Sequence, residues 1–271
     1  MIESLPPIRS ALFLPASNPR AIEKARSLPC DMVILDLEDA VKPDDKDRAR
    51  AAAVEAVARG FGHRVTAIRI NGSDSPWHRA DLNAVRSVPV DLIVLPKVDS
   101  AAQAAACASL GQGLIAMIES PAAVLAAVEI ARAAGVRGLL AGTNDLAAAL
   151  RLPDSVDRGG LALALQTIVL AARAAGIVAL DGVWNRLEDE EGLARQCNEG
   201  RAFGFDGKSL IHPSQIDAAN RAFGSTEAEL EDARALIVAA TGGAERFRGR
   251  MIESMHVEAA QRLIGRAGAR S

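Results

Sequence analysis

Several chemistries are excluded by what the chain lacks. Its three cysteines, Cys30, Cys107 and Cys197, are odd in number and widely spaced, so neither a disulfide framework nor a cysteine-based zinc site is indicated. The four histidines, His63, His78, His212 and His256, never recur at a metal-ligand spacing such as i, i+4, which removes support for a histidine zinc site. No run approaches the ~20 apolar residues of a membrane span. The N-terminus, MIESLPPIRSALFLPAS, has no basic start and is interrupted by Pro15, so neither secretion nor membrane insertion is expected and a cytoplasmic location is. Positive charge is not in excess: the net charge is −3 and the pI near 5.9, against the clustered Lys and Arg that a nucleic-acid surface needs. No nucleophile elbow and no Gly-rich phosphate loop after a strand is visible. Small-molecule chemistry is what remains.

The 271 residues are 49% hydrophobic and 24% charged, which is the balance of a compact protein able to bury a large core. Short apolar runs alternate with longer Ala-rich stretches: ALFLP from Ala11, MVILDLE from Met32, VTAIRIN from Val65, LIVLPK from Leu92, LIAMIES from Leu114, VRGLLAG from Val136, IVALDG from Ile177 and FDGKSLIHP from Phe205. Runs of this kind, spaced by helix-length segments, predict repeated βα units and a parallel sheet; about eight of them predict a (β/α)8 TIM barrel. Ser120 before Pro121 is an N-cap followed by the first helical position, and Gly135 is placed to close the helix they open. Thr226 and Glu229 form a capping-box pattern that opens a helix through about Thr241. Beyond it TGGAERFRGR breaks the alternation, and MIESMHVEAAQRLIGRA reads as one more short amphipathic helix. A barrel over 1–225 and a C-terminal helical extension over 226–271, set against a neighbouring subunit, follow as the expected organisation.

In such a barrel the chemistry comes from the C-terminal ends of the strands. The polar residues fall there: Asp36, Glu38 and Asp39 after the second run, Arg69 and Asn71 after the third, Lys97 after the fourth, Glu119 after the fifth, Asn144 and Asp145 after the sixth, Asp181 after the seventh, Lys208 and His212 with the eighth. The most informative pair is Glu119, in MIESP, and Asp145, in AGTNDL, one strand-helix-strand unit further on. Two carboxylates on neighbouring strand tips, with no His or Cys beside them, suit a hard divalent cation such as Mg2+. Asp36, Glu38 and Asp39 are expected to point in alternating directions and so to act around the ion, through water, rather than all upon it. Arg69 is a planar cation able to clamp a carboxylate or polarise an oxygen. Gly142, Thr143 and Asn144 offer small side chains and backbone N–H groups to a substrate carboxylate. Lys97 and Lys208 read either as structural ion pairs or, for Lys97, as a substrate contact. His63 and His78 read as loop residues and His212 as a structural hydrogen-bonding group.

Taken together, RSALFLPASNPRAIEKA, DMVILDLEDAVKPDDKDRAR, the RIN at Arg69, LPKV at Leu95, MIESP, AGTNDL, GFDGKSLIHPSQI and MIESMHVEAAQRL resemble, almost end to end and in one order, the citrate lyase β-subunit-like branch of the HpcH/HpaI aldolase superfamily. The resemblance implies a (β/α)8 barrel assembled as a homotrimer or homohexamer. It implies Mg2+ on Glu119 and Asp145, Arg69 at the scissile centre, and Glu38 and Asp39 supporting the metal's waters. The implied reaction cleaves a 3-hydroxyacyl thioester, on CoA or an acyl carrier, into an acyl thioester and a 2-oxo acid. In the family the C-terminal segment reads Met-Ile-Asp, with that Asp reaching a neighbouring subunit's site as a proton donor or acceptor. Here Met251-Ile252-Glu253 supplies a carboxyl group one methylene further out, and a misplacement of ~1 Å can cost ~100-fold. A pyruvate aldolase for free hydroxy-keto acids, and a non-catalytic or complex-dependent lyase subunit, remain alternatives at this level.

Overall fold

The computed structural model describes residues 5–108, 111–154 and 157–268. Two compact units are present, one over Ile8–Ala222 and a smaller one made of 223–268 with the segment 5–7.

In the larger unit the order is β1 (Ser10–Pro15), α1 (Pro19–Ala25), β2 (Met32–Asp36), α2 (Lys46–Arg59), β3 (Val65–Arg69), α3 (His78–Val85), β4 (Leu92–Leu95), α4 (Ala101–Cys107), β5 (Gly113–Ile118), α5 (Pro121–Leu125), α6 (Ala127–Arg132), β6 (Val136–Ala141), α7 (Thr143–Ala149), α8 (Ala162–Ala175), β7 (Val178–Asp181), α9 (Glu190–Phe203), β8 (Gly207–Leu210) and α10 (Ile216–Phe223). The strands pair in sequence order and β8 returns to β1, giving a closed eight-stranded parallel barrel. This is the (β/α)8 architecture that the apolar rhythm predicts. Every residue of MVILD, VTAIR and LIVL is buried, because strands covered by helices outside and by packed side chains inside have no solvent face.

The register aligns the functional ends. Asp36 is the partner of Arg69 across β2 and β3, and Ile118 is the partner of Ala141 across β5 and β6. The residues that follow these positions therefore emerge at one rim.

Local caps fix where each helix starts. Asn18 accepts the Ala21 N–H, Ser100 closes a capping box with Gln103, and Ser120 accepts the Ala123 N–H ahead of Pro121. The helix opened at Ser120 does not run on to Gly135. It divides at Ala126, whose φ of −97° and ψ of 10° leave helical geometry, and α6 ends at Arg132. His78 is a helix residue rather than a loop one: it opens α3, and its Nδ1 lies 2.8 Å from the Asn71 carbonyl.

The smaller unit contains α11 (Glu227–Ala239), β9 (Glu245–Phe247), β10 (Arg250–Ile252) and α12 (Ser254–Gly268). Thr226 and Glu229 form the capping box that their spacing predicts. The Gly- and Arg-rich stretch is a hairpin, not an irregular break. Arg248 and Gly249 form its two-residue loop with φ of 45° and 81°, both left-handed as such a turn requires. Met251 and Ile252 are consequently strand residues, and helix α12 begins only at Ser254. Ile252 is held in β10 because it packs into a small apolar core with Ala233, Leu236 and Ala260.

Candidate active site at the strand ends

A cavity of about 360 Å3 opens where the strands of the barrel end, lined among others by Phe13, Asp36, Arg69, Met117, Gly142 and Asp145. Its floor is organised by Arg69. Nε and Nη2 donate to the two oxygens of Asp36 at 2.7 and 2.6 Å, a two-point pairing that fixes the guanidinium plane. The Phe13 ring lies 5.0 Å from the guanidinium carbon. Nη1 is left on the other side, 3.1 Å from Glu38 Oε2 without hydrogen-bond alignment, 3.6 Å from Asp39 Oδ2 and 4.0 Å from the Met117 sulfur. Burial opposes the charge on Arg69, but hydrogen bonding and attraction to Asp36 outweigh it and hold the group fully protonated.

Asp36, Glu38 and Asp39 do not diverge. Strand β2 ends at Asp36, so strand alternation ceases to apply and the following turn brings all three carboxylates to Arg69. That turn is pinned from behind by Lys46, a buried ammonium that donates to the carbonyls of Leu37 and Glu38 and to Asn71 Oδ1 at 2.7 to 2.8 Å. Asn71 in turn donates to Leu37 O and Asp81. Asn71 is thus consumed by the scaffold. Nothing in the run KPDDKDRAR distinguishes Lys46 from a solvated charge, and Phe13 looks like any strand residue. Both partnerships depend on contacts across the barrel.

Lys97 reaches in two directions. Its N–H donates to Glu119 Oε1 at 2.5 Å, and its Nζ lies 2.5 Å from Glu38 Oε1. Glu119 is only 5% exposed, and its pKa is pushed up to about 7, chiefly by burial, then by repulsion from Glu38 and Asp145. Burial likewise raises Glu38 against the pull of Arg69 and Lys97. Gly142 packs directly on Glu119: a Cβ there would overlap the Glu119 side chain. The Gly142 N–H is spent on Ile118 O, whereas Thr143, Asn144 and Asp145 form the first turn of α7, whose amides have no intrahelical acceptor. Asn144 also exchanges hydrogen bonds with Asn185.

The rim therefore brings together Glu38, Asp39, Arg69, Lys97, Glu119, Gly142, Thr143, Asn144 and Asp145. Asp145 lines the cavity directly, while Glu119 sits behind Gly142 in its wall. Glu253 belongs to the smaller unit, where its N–H donates to His256 Nδ1 at 3.0 Å at the start of α12. Among the described residues no group of three His, Cys, Asp or Glu is arranged to hold a metal by itself. A hard cation that keeps several waters needs fewer protein ligands than that. The charges favour such a cation. Asp36, Glu38, Asp39, Glu119 and Asp145 outnumber Arg69, Lys97 and Lys46 by two, and a buried carboxylate near pH 7 is what a dication would relieve.

A second set of buried charges lies between β7 and β8. Lys208, fully buried, donates to Asp181 Oδ2, Gly182 O and Gln196 Oε1. Arg158 pairs with Asp181 and Glu199. His212 caps the turn after β8 through Ser214.

A parallel barrel with an acid-rich rim serves many metal-assisted chemistries, and comparison with known sequences narrows them. The sequence model of the HpcH/HpaI aldolase/citrate lyase family matches residues 9–213, and the chain belongs to that family. It is 42% identical to a (3S)-malyl-CoA thioesterase of Cereibacter sphaeroides (strain ATCC 17029 / ATH 2.4.9), over 97% of this chain and 95% of that one. It is 35% identical to citrate lyase subunit beta of Leuconostoc mesenteroides subsp. cremoris, over 96% and 93%. Among solved structures, protein CitE of Mycobacterium tuberculosis in complex with magnesium, acetoacetate and coenzyme A superimposes with a TM-score of 0.82 at 34% identity, covering 96% of this chain and 97% of that one.

Proposed function

We propose that the chain is a magnesium-dependent carbon–carbon lyase acting on a 3-hydroxyacyl-CoA thioester of the malyl, citramalyl or citryl type. The products are an acyl thioester and a 2-oxo acid. The observation that carries the reading is the excess of carboxyl groups over cations, five to three, at a rim that opens on a cavity for a small acid, with Glu119 and Asp145 on adjoining strand ends. The magnesium and coenzyme A named with the M. tuberculosis CitE structure, and the malyl-CoA in the name of the C. sphaeroides relative, support it.

Glu119 and Asp145 would hold the ion. Bound there, Mg2+ supplies a Lewis acid next to the oxygen that becomes a carbonyl. A general base takes the hydroxyl proton, and Arg69, held rigid by Asp36, presents Nη1 to the alkoxide charge so formed, which passes to the thioester carbonyl as the carbon–carbon bond breaks. Gly142, Thr143 and Asn144 border the place for the substrate carboxylate, with the first-turn amides of α7 as donors. Glu38 and Asp39 keep Arg69 oriented and accept from water at the rim. The thioester enolate that leaves is protonated by a carboxylic acid, for which Glu253 of an adjacent subunit is assigned in a homotrimer or homohexamer. A cytoplasmic location belongs to the same reading, since no described helix is long and apolar enough to cross a membrane and all three cysteines are free and buried.

Hydrolysis is the second reading, favoured by the name of the 42% identical relative. One experiment separates the two. Incubation with (3S)-malyl-, citramalyl- and citryl-CoA and Mg2+ is followed by assay for free thiol and for the 2-oxo acid. Lyase action gives the oxo acid and an acyl-CoA without free CoA, whereas hydrolysis gives the hydroxy acid and free thiol. Turnover by the purified chain removes the dependent-subunit alternative, and a Glu119→Ala chain that keeps full turnover removes the metal assignment.

A further inference from the structure

Lys97 has a backbone that an L side chain rarely adopts, with φ of 55°. Glycine would take that conformation without strain, so a lysine retained there needs a reason that includes its side chain. The geometry supplies one at each end of the residue. In the left-handed conformation the N–H turns toward β5 and donates to Glu119 Oε1 at 2.5 Å. The side chain passes Gly72, where a Cβ would lie 3.6 Å from it, and sets Nζ 2.5 Å from Glu38 Oε1. Glu38 is itself only 6% exposed and offers its other oxygen to Arg69. One residue after β4 thus ties the turn after β2 to the end of β5, and the arginine of β3 is held between them.

We infer that Lys97 is a positioning residue: its strained backbone aims the Glu119 carboxylate, its ammonium holds Glu38 against Arg69, and it does not itself contact the substrate. The inference deepens the lyase reading, and its kinetic consequences rest on that reading. Its structural consequences do not. A merely structural residue would move stability, and a substrate contact would move KM. A positioning residue moves kcat.

The test compares Lys97→Gly, Lys97→Ala and Lys97→Arg with the parent. Because the site is left-handed, Lys97→Gly should have a higher urea midpoint than Lys97→Ala, the reverse of the ordinary order. A cycle combining Glu38→Gln with Lys97→Ala should be non-additive in urea midpoint, since the pair is in contact. Mg2+ affinity of Lys97→Gly, read by calorimetry without substrate, should stay within about threefold of the parent because the amide to Glu119 survives. On the best thioester, Lys97→Gly and Lys97→Ala should lose roughly tenfold to a hundredfold in kcat at nearly constant KM, and Lys97→Arg should recover part of it. Additivity of the cycle, a tenfold rise in KM at unchanged kcat, or parental kcat in Lys97→Gly would each overturn the inference. If the parent turns over no thioester, the lyase reading falls, while the cycle and the Mg2+ titration still decide the role of Lys97.

Discussion

Two clusters of buried charge are anchored on the barrel strands, and they are built on opposite terms. Between β7 and β8, Lys208 and Arg158 face Asp181 and Glu199, equal in number, and Lys208 finds three acceptors. From β2 to β6 the carboxylates exceed the cations, Glu38 Oε2 has no hydrogen bond, and Glu119 is pushed up to about 7. Both clusters border a cavity, so what separates them is charge balance: the neutral network has its buried donors and acceptors satisfied, whereas the unbalanced one retains negative charge that a cation could relieve.

The comparison can be broken at the balanced cluster first. Asp181→Ala strands Lys208 and Arg158 in the core, and the expected cost is about 3–5 kcal/mol in urea denaturation, the largest effect of any single change considered. At the unbalanced cluster Arg69→Lys should retain the charge but lose the two-point pairing with Asp36, and kcat should fall about 10²–10³-fold with a smaller change in stability.

Glu119 sharpens the contrast because its change should stabilise. A carboxylate whose folded pKa lies above its unfolded value binds more protons when folded, so without metal the chain loses stability as pH rises from about 4.5 through about 7. Glu119→Gln removes that loss. It should raise the metal-free chain's stability at pH 8 by ~2 kcal/mol and abolish any rise in Tm on adding Mg2+. A drop in metal-free stability at pH 8 would count against the burial of an ionised Glu119. In the parent, Mg2+ affinity should weaken as pH falls below about 7, where protons compete for the same oxygens. The smallest expected effect is that of Gly142→Ala, whose new methyl group must displace the Glu119 side chain. Mg2+ affinity should fall about tenfold, or ~1.4 kcal/mol, with the fold intact by circular dichroism.

Much of this was legible in the chain. Eight apolar runs are enough to imply a closed parallel barrel, because strands buried on both faces need apolar residues throughout and their spacing leaves room for one helical crossover each. Polar residues at the ends of such runs mark the rim because a charge inside a packed strand needs a buried partner, as Lys208 of β8 has in Asp181. Capping patterns located Ser120 and Thr226 at helix starts, since a cap is a contact three residues long. Local pattern failed where a distant partner decided the outcome. The hairpin at Glu245–Ile252 exists because Ile252 is buried against α11 and α12, and the run Met251 to Ala267 by itself reads as helix.

What the sequence by itself determined is the barrel, the order of its strands and the charged residues at the ends of its apolar runs, though not Lys46 or Arg158, all consequences of periodicity and of the cost of burying charge. Only the tertiary structure decided how those charges were divided. It closed Asp181, Lys208 and Arg158 upon one another, swung Asp36, Glu38 and Asp39 together onto Arg69, and hid Glu119 beneath Gly142. Ion pairing depends on distances between strands that lie far apart in the chain, and no spacing along the chain encodes them.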